Sequence, residues 1–265
     1  MKVKTARIVA QGDNLNVRNR EFQQTPLQAP VFLNSVPKCG THLFRNIVRM
    51  FVPVEQQYHK AFIQIPVLQQ HLAAFSPQNP MVSWGHLLFS DDSAIALDGV
   101  KQTLLVRDPY DWVLARARFF LSDTFQGSLE HLKDGQLSME EILNMMIFGI
   151  YGKAPTMNEI FTHNAVAWVG TRARIMKMED LVHAVRKLDT DDAENYFADV
   201  LGYLGIDMPA DWRERVRIGS DRKQSGTARE NLAGPERAVP DELPETQKRL
   251  VDLQLPGIRA FLGYS

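Results

Sequence analysis

Cysteine is nearly missing from this chain: one residue, Cys39, in 265. A single thiol excludes an internal disulfide framework and a paired-cysteine metal site, and it suits a reducing compartment. Long apolar runs are missing too. No stretch approaches the length of a membrane span, and the N-terminus lacks the uninterrupted apolar centre of a secretory signal. The expectation is a cytoplasmic protein of bacterial style, with no anchor before the domain and no membrane insertion. Excess charge of one sign is also absent. The net charge is −1, so no global field draws the chain to nucleic acid or anionic lipid. Any anion site must come from local clustering. No His-x-x-x-His or similar ligand spacing occurs, so no metal is expected.

What is present is an ordinary globular composition, 45% apolar and 23% charged, enough for one α/β domain with its own core. We expect a single domain over residues 1–265, with 1–30 as a peripheral segment. Ala6–Ala10, Val31–Leu33, Met81–Trp84, Thr103–Val106 and Arg174–Met178 read as strands. Helical spacing follows Gly40 as far as Phe51, follows Pro109 through Phe119, and covers Asn158–Val169. Ser138 with Glu141 has capping-box spacing before a helix from Met139 to about Ile150; Asp191 with Glu194 suggests another, ending at Gly205. Residues 52–80 read as irregular or briefly helical, and the stretch around Asp91, Asp92 and Asp98 as surface. The alternation predicts a parallel sheet covered on both faces, with ligands at the carboxyl ends of its strands.

The most informative stretch runs from Val31 to Phe51. An apolar strand meets Pro37, Gly40 permits a backbone that side-chained residues resist, and a helix starts at Gly40 or Thr41. Its first N–H groups lack intrahelical acceptors and carry the positive end of the helix dipole, with Lys38 beside them. This is a cradle for an anion, a phosphate above all. It is not a Walker A loop, which needs Gly-x-x-x-x-Gly-Lys-Ser/Thr; here the Lys precedes the Gly.

Pro37-Lys38-Cys39-Gly40-Thr41-His42 instead resembles the 5′-phosphosulfate loop of the sulfotransferases, usually Pro-Lys-Ser-Gly-Thr-Thr. Further matches come in family order. Trp84-Gly85-His86-Leu87 is similar to the strand end that carries a catalytic His. Leu104 to Asp111 resembles the strand ending in Arg-Asn/Asp-Pro-x-Asp, whose Arg contacts a 3′-phosphate. Ser220 to Thr227 is similar to the late Arg-Lys-Gly segment that closes over that phosphate. From Arg213 to Arg229, six cations (Arg213, Arg215, Arg217, Arg222, Lys223, Arg229) face Glu214 and Asp221, a local surplus of four. Departures are plain: Ala115 stands for a phosphate-binding Ser, Leu43 for a base-stacking Trp, Met178 for a Tyr at the adenine, and Gln224 for a Gly.

The resemblance implies a P-loop NTPase-like three-layer fold, its central parallel sheet flanked by helices. It also implies transfer of a sulfuryl group from 3′-phosphoadenosine 5′-phosphosulfate (PAPS), with 3′-phosphoadenosine 5′-phosphate (PAP) as product and no metal. Lys38 would stabilise the leaving phosphate and His86 would act as general base, a task suited to a near-neutral pKa. Cys39, Gly40, Thr41, His42 and Leu43 would complete the 5′ side of the nucleotide site, and Arg107, Ala115, Arg222 and Lys223 the 3′ side. Arg116 and Arg118 stand near enough in sequence to replace the missing Ser, and residues 213–240 are expected to form a mobile lid. The acceptor would be a hydroxyl or amine of a small molecule or saccharide. Phe62, Ile63, Ile65, His71, Phe75, Phe119, Phe120 and Met145–Ile150 either line its pocket or form core. Two rivals stay open: an ATP/magnesium P-loop kinase, and a nucleotide-binding protein without turnover. No nucleic-acid partner is expected, and oligomeric state is not readable.

Overall fold

The computed structural model describes residues 7–127, 129–226 and 239–265. Its strands in chain order are β1 (Arg7–Ile8), β2 (Val31–Ser35), β3 (Val82–Gly85), β4 (Lys101–Val106), β5 (Phe125–Gln126) and β6 (Arg174–Lys177). The α-helices begin with α1 (Leu15–Asn19), α2 (Thr41–Arg49), α3 (Asp91–Ala96), α4 (Pro109–Leu121), α5 (Met139–Phe148) and α6 (Met157–Asn164). They continue with α7 (Met178–Arg186), α8 (Asp191–Leu204), α9 (Trp212–Ser220), α10 (Glu245–Gln254) and α11 (Ile258–Phe261). The chain divides into two compact units. The first is Gly12–Val106 with His163–Gly226; the second holds the described parts of Met1–Gln11, Arg107–Thr162 and Thr227–Ser265.

The first unit contains a four-stranded parallel sheet in the order β3-β2-β4-β6. Leu33 lies opposite Trp84 on one side and Thr103 on the other. Every residue of β2 and β3 is buried, which is the signature of a sheet covered on both faces. Leu33, Phe44, Ile47, Trp84, Leu105, Leu181, Phe197 and Trp212 belong to one core. Helix α2 is buried on more than one side because α9 packs against it so closely that a Cβ on Gly219 would sit 2.6 Å from the Ile47 Cα. Bulk at that glycine would push the helices apart.

The second unit pairs β1 with β5 antiparallel and builds its core on α4. Trp112 meets Phe161 edge-on at 5.2 Å, and Phe119 and Phe120 pack on Phe125 at 5.5 and 4.7 Å. Phe125, Phe161, Met146 and Ile147 are buried core of this unit, while Phe119 and Phe120 are half-buried. The capping box at Ser138 and Glu141 is formed in both directions.

Local signals placed most elements within a residue or two. Helix α2 stops at Arg49, so Phe51 lies beyond it. The cap of α8 is Thr190, whose side chain accepts from the Ala193 N–H, one residue before the expected Asp191. The expected helix over Asn158–Val169 is instead α6 followed by a separate 3₁₀ turn, Val166–Trp168. The Asp91 stretch is a helix, α3, capped reciprocally by Ser90 and Ser93; the serine in place of the usual Glu or Gln hid it. Among the described residues no helix is long and apolar enough to cross a membrane.

Candidate functional site

The loop after β2 is tight and strained. The Val36 N–H donates to the Leu105 carbonyl at 3.0 Å, and the Cys39 N–H returns to the Val36 carbonyl at 3.2 Å. Within that turn Lys38 has φ +70°, the left-handed region, the one non-glycine with positive φ among the described residues. Such a conformation costs about 1–2 kcal/mol for a side-chained residue, so the loop holds its lysine against a local preference. Gly40 follows at φ +86°, and a Cβ there would lie 2.1 Å from the Met178 Sδ. Met178, expected at an adenine, thus packs beneath the loop. Cys39 is fully buried and fills the same floor.

Helix α2 begins at Thr41 with Gly40 as its cap and no capping side chain. Its first-turn N–H groups therefore look for an outside acceptor. His42 adds to the demand: its Nδ1 is buried without a hydrogen-bond partner. Burial, then Arg45, Lys38 and His86, push its pKa down to about 3. Burial also drops the half-buried Lys38 ammonium to about 7. An arriving phosphate would oppose that cost by adding negative charge beside the ammonium. Leu43 packs against the core of this unit, where it offers no ring for a base.

His86 stands directly past β3. Its Nδ1 lies 2.8 Å from the Ser35 carbonyl oxygen and 3.2 Å from the Ser35 Oγ. A carbonyl only accepts, so Nδ1 carries the proton and Nε2 keeps its lone pair. Burial and then the neighbouring Lys38 lower the pKa of His86 to about 4, although its hydrogen bond to Ser35 opposes them. It is neutral near pH 7 and able to accept a proton. Phe62 meets its ring edge-on at 4.7 Å. The His86 N–H donates to the Ile63 carbonyl at 3.1 Å, and Gly85 makes this approach possible, since its Cβ would fall 1.9 Å from that same oxygen.

The strand end is clamped as well. The Asn34 side chain exchanges two hydrogen bonds with the Leu87 backbone, at 3.0 and 2.9 Å. The Leu87 carbonyl also accepts from Asn164 and from the Trp168 indole, both at 3.1 Å. Three donors on one carbonyl hold the turn that aims His86. Ser35, Asn34, Phe62, Asn164 and Trp168 were not singled out by motif reasoning as supports of this histidine. Only the strand position of Asn34 and Ser35, polar residues in a buried run, hinted at a role.

Arg107 and Ala115 belong to the second unit. Arg107 follows the last residue of β4, and its Nε is buried without a partner. The adjoining Asp108 caps α4 by accepting the Tyr110 N–H at 2.9 Å, and it pairs with Arg259 at 2.9 and 3.1 Å. Ala115 is half-buried on α4. The suggested substitutes for its missing hydroxyl are spent elsewhere. Arg116 is buried and donates to the Met146 and Pro155 carbonyls, each at 2.7 Å, while Arg118 donates to the Pro240 carbonyl at 2.8 Å.

The basic segment is largely neutralised within the fold. Arg213 pairs with Glu194 at 2.5 Å and Arg217 with Asp189 at 2.6 Å. Arg215 is buried and shared among Asp211, Gln24 and the Gln23 and Met50 carbonyls. Residues 213–220 are packed helix, so the expected lid does not begin there. Arg222 and Lys223 are exposed on a 3₁₀ turn. Gln224, in the place of a glycine, anchors that turn: its side chain accepts the Asn14 N–H at 3.1 Å and its carbonyl accepts from Asn46 at 3.0 Å. Thr227, Ala228, Arg229 and the rest of the expected lid to residue 238 lie outside the described residues. Among the described residues no cluster of three His, Cys, Asp or Glu side chains could hold a metal ion.

Comparison with models of protein families and with curated proteins finds no match. Solved structures do match. A mouse sulfotransferase, SULT7A1, complexed with PAP aligns with a TM-score of 0.54 over 94% of this chain and 91% of its own, at 12% identity. Retinol dehydratase in complex with androsterone and the inactive cofactor PAP aligns at 0.51 over 88% and 82%, at 15% identity. The chain has their fold. It is α/β, P-loop NTPase-like, with a central parallel sheet flanked by helices.

Proposed function

We propose that this protein is a PAPS-dependent sulfotransferase, with PAP as its product. The observation that carries the reading is the pairing of an uncapped helix start and a strained lysine with a histidine whose free nitrogen is Nε2. The first supplies a phosphate cradle and the second a base. The orphaned His42 Nδ1 suits a ligand rich in anionic oxygen. The solved structures of like fold, both containing PAP, support the same donor.

The Gly40, Thr41 and His42 N–H groups and the Thr41 hydroxyl would hold the 5′-phosphate, and Arg222 and Lys223 the 3′-phosphate. As the acceptor oxygen or nitrogen attacks sulfur in line, His86 Nε2 takes its proton. The bond from sulfur to the bridging oxygen breaks, and Lys38 stabilises the charge left on PAP. Each such electrostatic contact is worth roughly 3–4 kcal/mol by mutation. The acceptor is a hydroxyl or amine of a small molecule or saccharide, approached past Phe62.

The test is thermal unfolding with PAP, without magnesium. A ligand at 100 times its dissociation constant stabilises by about 2.7 kcal/mol, so a clear upward shift is expected, with release of PAP from PAPS as the activity readout. Stabilisation by ATP only in the presence of magnesium would overturn the assignment in favour of a kinase.

A further inference from the structure

We infer that Ser35 is a positioning residue that couples occupancy of the phosphate cradle to the histidine base. The inference rests on the sulfotransferase reading and adds a role no motif assigns. Ser35 is buried at the end of β2 and reaches both halves of the site: its Oγ lies 2.6 Å from the Thr41 Oγ1 and 3.2 Å from the His86 Nδ1. Its carbonyl, at 2.8 Å, takes the Nδ1 proton. One residue therefore sets the tautomer of the base through its backbone and joins the helix start through its side chain.

The direction of the hydroxyl chain depends on the cradle. In the empty cradle either hydroxyl of the Ser35–Thr41 pair can be the donor. Phosphate oxygens accept only, so a bound phosphate obliges the Thr41 hydroxyl to donate outward. The Thr41 oxygen then accepts from the Ser35 hydroxyl. That turns a Ser35 lone pair towards Nδ1–H, which is shared between the Ser35 carbonyl and hydroxyl oxygens. Both acceptors stabilise the Nδ1–H tautomer and make Nε2 more basic. The base is thus strengthened when a donor nucleotide is seated. The other groups around the ring are Lys38, which acts through charge, and Phe62, which acts through packing; His42, its pKa pushed down to about 3, is neutral near pH 7.

The experiment is ¹⁵N spectroscopy of the histidine rings, with His86 assigned from the His86→Gln spectrum, in free protein and with PAP. In the wild type His86 should be the Nδ1–H tautomer throughout, and PAP should move its Nδ1 resonance and raise the pH at which it titrates, because the anionic charge and the added acceptor both favour the protonated ring. In Ser35→Ala the tautomer should persist, because the carbonyl remains. The PAP-induced Nδ1 shift should fall by at least about half, with PAP affinity changed less than about threefold. Thr41→Val cuts the same chain from its other end and should give the same lost response, which keeps the test available if Ser35→Ala folds poorly. An equal Nδ1 shift in both PAP-bound variants and the wild type overturns the coupling alone. Failure of the wild type to bind PAP overturns the coupling together with the sulfotransferase reading.

Discussion

Two regions of the first unit concentrate positive charge, and they are built in opposite ways. Around α2, Lys38 sits in a left-handed backbone, His42 Nδ1 has no partner and the helix start has no cap. Along α9, Arg213 and Arg217 are paired with carboxylates, and Arg215 makes five hydrogen bonds in the interior. Charge that is satisfied within the chain holds structure. Donors without an acceptor inside the chain, at an uncapped helix start beside a strained loop, suit a ligand. A cation count along the sequence scores α9 higher, yet the geometry favours α2.

The comparison breaks first at Arg215. Arg215→Ala strands Asp211 and several buried carbonyls, so unfolding free energy should fall by about 3–5 kcal/mol in urea titration. PAP affinity of the folded fraction should not change. Weakened binding with unchanged stability would exchange the roles of the two regions.

At the cradle the expectation is reversed. Lys38→Ala and His86→Ala should each lower PAPS turnover by about 10²–10³-fold, with unfolding midpoints close to wild type. Near wild-type turnover in both would refute the roles assigned. Lys38→Gly sharpens the point. It relieves the left-handed backbone, so stability should rise by about 1 kcal/mol while turnover is still lost.

The pH dependence follows from the same burial. In the free protein the Lys38 pKa is depressed to about 7, so the amine is charged below that pH and neutral above it. A phosphate binds the charged form. PAP affinity should therefore be full below pH 7 and fall by up to about tenfold per unit above it. Calorimetry in buffers of different ionisation enthalpy should register proton uptake at pH 8, and Lys38→Ala should abolish it. His86, with its pKa lowered to about 4 in the free protein, stays neutral over this range, and the acid limb of turnover with bound nucleotide should appear above that value.

The smallest effect belongs to the exposed cations. Arg222→Ala should leave stability unchanged and cost PAP about 1 kcal/mol, while 5′-AMP binding is unaffected because it lacks the 3′-phosphate. Equal losses for both nucleotides would remove Arg222 from the 3′ side.

How much could be read in advance differs between elements for identifiable reasons. The strand, bend and helix from Val31 to Arg49 were legible because Pro37, Gly40 and the apolar spacing act over a few residues. The capping box at Ser138 was legible for the same reason, whereas Ser90 with Ser93 escaped because a serine does the work usually given to Glu or Gln. Met178 and Gln224 read as eroded motif positions, but one floors the loop beneath Gly40 and the other ties its turn to Asn14 and Asn46. Those uses depend on neighbours far away in the chain.

Local chemistry along the chain was enough to specify an anion cradle at Lys38–Thr41 and an alternating α/β order, because backbone preference and helix ends are short-range properties. It could not specify that Ser35 meets His86, 51 residues away, nor which arginines are neutralised inside the fold. Those outcomes arise when parallel strands set their register and helices choose their partners. Hydrogen bonding and burial are then decided by distance in space, and spacing along the chain no longer predicts them.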